Sequence, residues 1–136
     1  MKVLVIDAQG GGIGRQLIGK IKSLDSAVHI IAVGANSAAT EAMIRAGADQ
    51  AATGENPVRV IAPDVDVIAG PIGIVIVDAM LGEITPAMAE AVGRSSAVRY
   101  LIPTSHCNTK VAGLAQLPVG RLIQEAAEEI VRMGQN

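Results

Sequence analysis

Short apolar runs alternate along this chain with longer stretches in which apolar residues recur at helical spacing. Val3–Ile6 is rich in β-branched residues and reads as a strand. A run of glycines follows, and then Ile13, Leu17, Ile18 and Ile21 fall on one face of a helix. Val28–Val33 reads as a second strand, with Ser37 capping a helix that carries Ala39, Met43 and Ala46 and ends at Gly47. Asp49–Ala52 predicts a weak third strand, and Asn56 and Pro57 the cap and first residue of a short helix that stops before Pro63. Val65–Ala69 reads as a fourth strand. The apolar segment Ile74–Leu81 reads as a helix buried on most sides. Thr85 and Pro86 repeat the cap-plus-proline start for a helix through Val92, and Val98–Ile102 gives a fifth strand. From about Pro118, the residues Val119, Leu122, Ile123, Ala126, Ala127, Ile130 and Val131 make a wide apolar stripe. Glu128 and Arg132 form an i,i+4 pair on its outer side.

Strands that alternate with helices imply right-handed βαβ units and a parallel sheet covered on both faces. The expected fold is α/β: a single three-layer, Rossmann-like domain over residues 1–136, with a mainly parallel five-stranded sheet in the order 3-2-1-4-5. In such a sheet every strand-to-helix turn lies at the carboxyl edge, where ligands of open α/β sheets bind.

The turns at that edge are the most informative part of the sequence. The first holds Gln9, Gly10, Gly11, Gly12, Ile13 and Gly14, and the second Gly34, Ala35, Asn36 and Ser37. The third holds Thr53, Gly54, Glu55 and Asn56, and the fourth Gly70, Pro71, Ile72 and Gly73. The fifth runs through His106, Cys107 and Asn108. Glycine lets backbone N–H groups approach a ligand closely, and the first helix points its positive end at the same place. Short turns need glycine and capping residues in any case, but that accounts poorly for three consecutive glycines. A pocket for a nucleotide or another phosphate-bearing small molecule, NAD(P)-like before others, is expected there. Its lining would come from Gln9–Gly14, Asn36, Ser37, Thr53–Asn56, Gly70 and Pro71.

The glycine pattern fits no dinucleotide fingerprint in full. In Gly-x-Gly-x-x-Gly, Gly10 and Gly12 match but Arg15 takes the third position. In the other frame, Gly12-Ile13-Gly14-Arg15 is similar to the nucleotide turn of short-chain dehydrogenases, over the first βα unit alone. That family's Tyr-x-x-x-Lys is absent, since Tyr100 is followed at that spacing by Thr104. A ribose diol also calls for Asp or Glu at the end of strand two. Asn36 and Ser37 stand there instead, which leans toward NADP over NAD, or toward a mononucleotide. Arg15 either pairs with a phosphate or is a solvated helix residue.

Composition narrows the class further. Half of the residues are hydrophobic but only one is aromatic, so the core is built of aliphatic side chains and methionine. The net charge of −2 and the lack of a basic block or stacking aromatics argue against nucleic acid. The lone cysteine permits no internal disulfide and fits a reducing compartment. Pro71 interrupts the most apolar stretch, well short of the roughly 20 residues a membrane span needs. A soluble, cytoplasmic protein is expected, with a small-molecule ligand and a homodimer formed through Ile72–Leu81.

Three groups are candidates for catalysis. Asp7 could bind a cation, act as a base, or simply hold the glycine turn through backbone N–H groups. It lacks the second acidic residue and the strand-three acceptor of a phospho-receiver domain. Glu55 faces the same edge, as does Glu83, and is either a general acid–base group or a first-turn carboxylate favoured by the helix dipole. Cys107 follows His106, but neighbours on extended chain point apart, so the pair does not assemble a thiolate and its base. No metal site can be built from His29, His106 and Cys107.

Taken together, these blocks resemble a family of short uncharacterised bacterial proteins, a domain of unknown function with a Rossmann-like sheet. The resemblance rests on Asp7–Gly14, on Ala46-Gly47-Ala48 leading to Ala52–Asn56, on Gly70–Gly73, on Leu81–Pro86 and on Cys107-Asn108. It implies family membership and the fold, and names no activity.

Overall fold

The computed structural model describes residues 1–104, 108–113 and 117–136. Its order is β1 (Lys2–Asp7), α1 (Gly12–Leu24), β2 (His29–Gly34), α2 (Ser37–Arg45), β3 (Gln50–Thr53) and α3 (Glu55–Ile61). A single 3-10 turn at Ala62–Asp64 leads to β4 (Val67–Pro71) and a second at Ile72–Val75 follows it. The chain continues with α4 (Pro86–Arg94), β5 (Val98–Ile102) and α5 (Val119–Gln135). The five strands form one sheet in the order β3-β2-β1-β4-β5, and all four pairings are parallel.

The period of two along the strands divides the core into its two layers. Val3 and Val5 of β1, Ile30 and Ala32 of β2, and Val67 and Ala69 of β4 face one side, where they meet Leu17, Ile18 and Ile21 of α1 and Ile123, Ala127 and Ile130 of α5. The alternate residues Leu4, Ile6, Val33 and Ile68 face the other side, against Val58 of α3 and Met88 and Val92 of α4. Residues on both faces of a central strand must therefore be apolar, which is why β1 reads as a continuous apolar run. The crossover through α3 carries the chain from β3 past two strands to β4, and so places the switch point between β1 and β4.

Several details depart from the sequence expectation. β4 covers Val67–Pro71 rather than Val65–Ala69, so Gly70 and Pro71 pair within the sheet opposite Leu101 and Ile102 instead of opening the turn after it. Asn36 rather than Ser37 caps α2, its side-chain oxygen accepting from Ala39 N–H. Helix α3 begins at Glu55 behind Gly54, so Asn56 is not a cap and Pro57 lies inside the first turn, where its missing N–H costs nothing. In α5, Arg121 approaches Glu125, while Glu128 accepts a hydrogen bond from Gln124 rather than pairing with Arg132. The largest departure is Ile74–Leu81, which is not a helix. After the 3-10 turn the chain makes a compact loop, 76–84, closed by Asp78 N–H donating to the Ile84 carbonyl at 2.8 Å. Asp78, Met80 and Leu81 all take left-handed backbone angles, which no right-handed helix can contain. The apolar residues of 74–84 divide: Ile74 and Ile84 are buried, whereas Val77 is 53% exposed and Leu81 97%.

Candidate functional site

The register aligns Thr53, Gly34 and Asp7 in one row across the carboxyl ends of β3, β2 and β1. The glycine turn begins directly after that row. Gln9 and Gly11 are both left-handed, with φ of 50° and 70°, and Gly11 N–H closes the turn on the Ala8 carbonyl. Two of its glycines are required by the fold. A Cβ at Gly11 would sit 3.0 Å from the Ala39 backbone, and one at Gly14 would sit 3.0 Å from Asp7 Cβ and 3.1 Å from its Oδ2, as well as against Met43 Sδ. Gly10 and Gly12 are different, because a Cβ on either would meet nothing within 4 Å.

Asp7 lies beneath this turn and is 4% exposed. Its Oδ1 accepts from Ala8 N–H at 2.8 Å and its Oδ2 from Gly14 N–H at 2.7 Å. Its carboxyl titrates above its ordinary value because burial penalises the charge more than the N–H groups of Gly14, Ala8 and Ile13 relieve it, and the nearby Glu83 charge adds to the rise. The carboxylate thus ties the start of α1 to the end of β1.

Glu83 comes from the 76–84 loop and is only partly exposed. Its carboxylate accepts from Gln9 N–H at 2.9 and 3.1 Å and from Asn36 Nδ2 at 3.0 and 2.9 Å. Asn36 is fully engaged: Oδ1 caps α2, and Nδ2 donates to the Gln9 carbonyl at 3.0 Å as well as to Glu83. Glu55, at the start of α3, accepts from Thr85 Oγ1 at 2.6 Å. Loops after β1, β2, β3 and β4 are thereby fastened together by neutral donors acting on carboxylates. Among the described residues no ion pair involves Asp7, Glu55 or Glu83.

The other sequence candidates fall into place around this centre. Thr53 Oγ1 meets Thr40 Oγ1 at 2.8 Å, and Gly54 N–H donates to the Gly34 carbonyl. Ser37 and Asn56 are exposed at the rim. Gly70 and Pro71 are buried, and a Cβ at Gly70 would lie 2.3 Å from the Ile6 carbonyl oxygen. Arg15 is exposed on α1 and lines a shallow groove with Ala42 and Arg45. His106 and Cys107 lie outside the described residues. A larger groove of about 560 Å³ opens between α3 and α4 beside Arg59, Ala87 and Arg94, and no residue of the glycine turn lines it. No group of three or more His, Cys, Asp or Glu among the described residues is placed to hold a metal ion.

The contact that sequence reasoning missed is Glu83 with Asn36, 47 positions apart. The absence of a carboxylate at the end of β2 was the available signal, since an amide there can draw in a carboxylate from elsewhere.

These elements define an α/β protein with a parallel 3-2-1-4-5 sheet and a glycine turn at its switch-point edge. The chain belongs to the family described as Domain of unknown function (DUF3842), whose model matches residues 2–135. No curated protein matches it. Among solved structures it is similar to the dodecameric FMN-dependent UbiX-like decarboxylase from Escherichia coli O157:H7, with 17% identity and a TM-score of 0.46 over 98% of this chain and 76% of that one. It is similar also to AibC, with 21% identity and a TM-score of 0.47 over 98% of this chain. The chain spans 41% of the length of AibC. Among the described residues no helix is long and apolar enough to cross a membrane.

Proposed function

We propose that this protein is a cytoplasmic binding domain for a nucleotide-type small molecule, held at the carboxyl edge of the sheet beside the Gln9–Gly14 turn. The observation that carries the reading is the divided construction of that turn. Packing demands Gly11 and Gly14, whereas nothing in the fold demands Gly10 and Gly12, whose Cβ positions face open space. Close approach of a ligand to the backbone accounts for both. Gly19, Gly93 and Gly120 also face open space, but they lie on α1, α4 and α5. Gly10 and Gly12 differ in their place, beside the Gln9 N–H that holds Glu83.

A thermal-shift panel of NAD, NADP, ATP, coenzyme A and FMN tests this reading, because specific binding to the folded state raises its stability. A ligand at about a hundred times its dissociation constant adds about 2.7 kcal/mol, a shift of several degrees. No shift from any of them at millimolar concentration contradicts it.

A second reading is a homo-oligomeric structural or regulatory protein without a nucleotide ligand, associating through Ile72–Leu81. The exposure of Val77 and Leu81 on the 76–84 loop favours it. A dimer by light scattering that dissociates on Leu81→Asp supports this reading, and a monomer at micromolar concentration removes it.

A further inference from the structure

The end of β2 carries Asn36 where a ribose-binding carboxylate would be expected, yet the structure brings a carboxylate to that place from another part of the chain. Glu83 sits within hydrogen-bonding distance of both Asn36 Nδ2 and Gln9 N–H, at the corner between the β1 and β2 turns. Its position is built from two directions. The 76–84 loop is closed at its base by the Asp78–Ile84 hydrogen bond and anchored by buried Ile84, and Thr85 beside it donates to Glu55. From the other side, Asn36 is pinned by its cap on α2 and by the Gln9 carbonyl, so its amide offers donors to Glu83 and has nothing left for a ligand.

We infer that Glu83 is the ribose-recognising residue of the proposed nucleotide site, and that it selects a ligand whose 2′-hydroxyl is free over one that carries a 2′-phosphate. The inference rests on the nucleotide reading above. Its chemistry follows from the partners of the carboxylate. A carboxylate has room for about four hydrogen bonds; Gln9 N–H and Asn36 Nδ2 are each shared between both Glu83 oxygens, so only two donor groups serve it and the partly exposed carboxylate can accept more. No ion pair among the described residues compensates its charge. Hydroxyl donors arriving at this corner meet a held acceptor, whereas a phosphate meets an uncompensated negative charge at close range. Asn36 acts as a positioning residue, which explains an amide where a carboxylate is expected: an Asp at that position would repel Glu83. The expected preference is thus the reverse of what the end of β2 suggests by itself, NAD-type over NADP-type.

NAD and NADP differ only in the 2′-phosphate, so isothermal titration of the full chain with each isolates the question. The wild-type protein is expected to bind NAD at least about tenfold more tightly than NADP, a factor within reach of one like-charge contact. Glu83→Gln, which removes the charge and keeps the shape, is expected to bring the two affinities to within about threefold, chiefly by strengthening NADP. Equal or tighter binding of NADP by the wild-type protein overturns the inference and needs no variant to do so. A preference for NAD that survives Glu83→Gln overturns it as well. If NAD and NADP both fail to bind while another nucleotide of the panel does, the inference falls and the nucleotide reading stands. If every nucleotide fails, both fall.

Discussion

The two edges of the sheet handle charge in opposite ways. At the amino edge two carboxylates, Asp49 and Asp64, meet cations, while Asp66 accepts from Lys2 N–H. Asp49 Oδ2 accepts from Lys22 Nζ at 2.8 Å and from Ile30 N–H at 2.8 Å, His29 lies 3.8 Å away, and Asp64 pairs with Lys2. At the carboxyl edge, Asp7, Glu55 and Glu83 are held by backbone N–H groups, an amide and a hydroxyl. The first arrangement neutralises charge and fastens α1 to the sheet. The second fixes carboxylates in place without an ion pair, at the edge where the fold collects its strand-to-helix turns.

Substitutions can break or sharpen that contrast. The largest effect is expected at Asp7. Asp7→Ala strands the buried N–H groups that the carboxylate accepts from, and should cost about 3 kcal/mol by urea denaturation. A loss below about 1 kcal/mol would mean that the turn holds itself. Asp49→Asn comes next. Lys22 is largely buried, but Asp49 is more than a third exposed, so solvent screening limits the loss to about 1 kcal/mol at neutral pH.

The pH dependence separates these two carboxylates by sign. Hydrogen bonding from Ile30 N–H and the Lys22 charge lower the pKa of Asp49. Its contribution is therefore present above the ordinary carboxylate pKa and is lost as pH falls through its lower folded value. The folded pKa of Asp7 is raised, so its titration contributes stability below the ordinary value that is lost as pH rises through the folded one. Asp49→Asn should flatten the acid limb of the stability curve, whereas Asp7→Asn should remove an opposing slope. Equal acid limbs in wild type and Asp49→Asn would contradict this division.

Asn36→Asp keeps the cap on α2 but faces Glu83 with a second carboxylate. A loss of about 1 kcal/mol at pH 7 is expected by urea denaturation, and no loss would mean that Glu83 swings away from the turn. The smallest effect belongs to the loop. Leu81 is left-handed and 97% exposed, so Leu81→Gly relieves strain without loss of packing and should stabilise by about 0.5 kcal/mol. Destabilisation instead would show that Leu81 is covered in solution, as the oligomeric reading requires.

Sheet order and strand positions were legible because both follow from alternation, in which each strand and helix must bury its own face. β5 is found at the residues its apolar run predicts, and α5 starts one residue after Pro118. The 76–84 loop was not legible, because its apolar residues carry no period. Its shape is fixed by left-handed angles at Asp78, Met80 and Leu81, which no preference for glycine announces. The location of the candidate site was readable from the turns, and Glu83 could be placed at the same edge. Its approach to Asn36 depends on how that loop folds back over the β1 and β2 turns, a tertiary contact with no local signal. The same contact is the basis of the inferred preference for NAD, whereas the lean toward NADP rests on the end of β2 considered by itself.

The central claim is that the carboxyl edge binds the ligand and the amino edge does not. An amide chemical-shift titration of the isotope-labelled protein with NAD tests it most directly. The account predicts saturable shifts at Gln9–Gly14, Asn36 and Glu83, with Lys22, Ile30 and Asp49 unmoved. Shifts centred on the groove between α3 and α4, or on the amino edge, with the glycine turn unmoved, would contradict it.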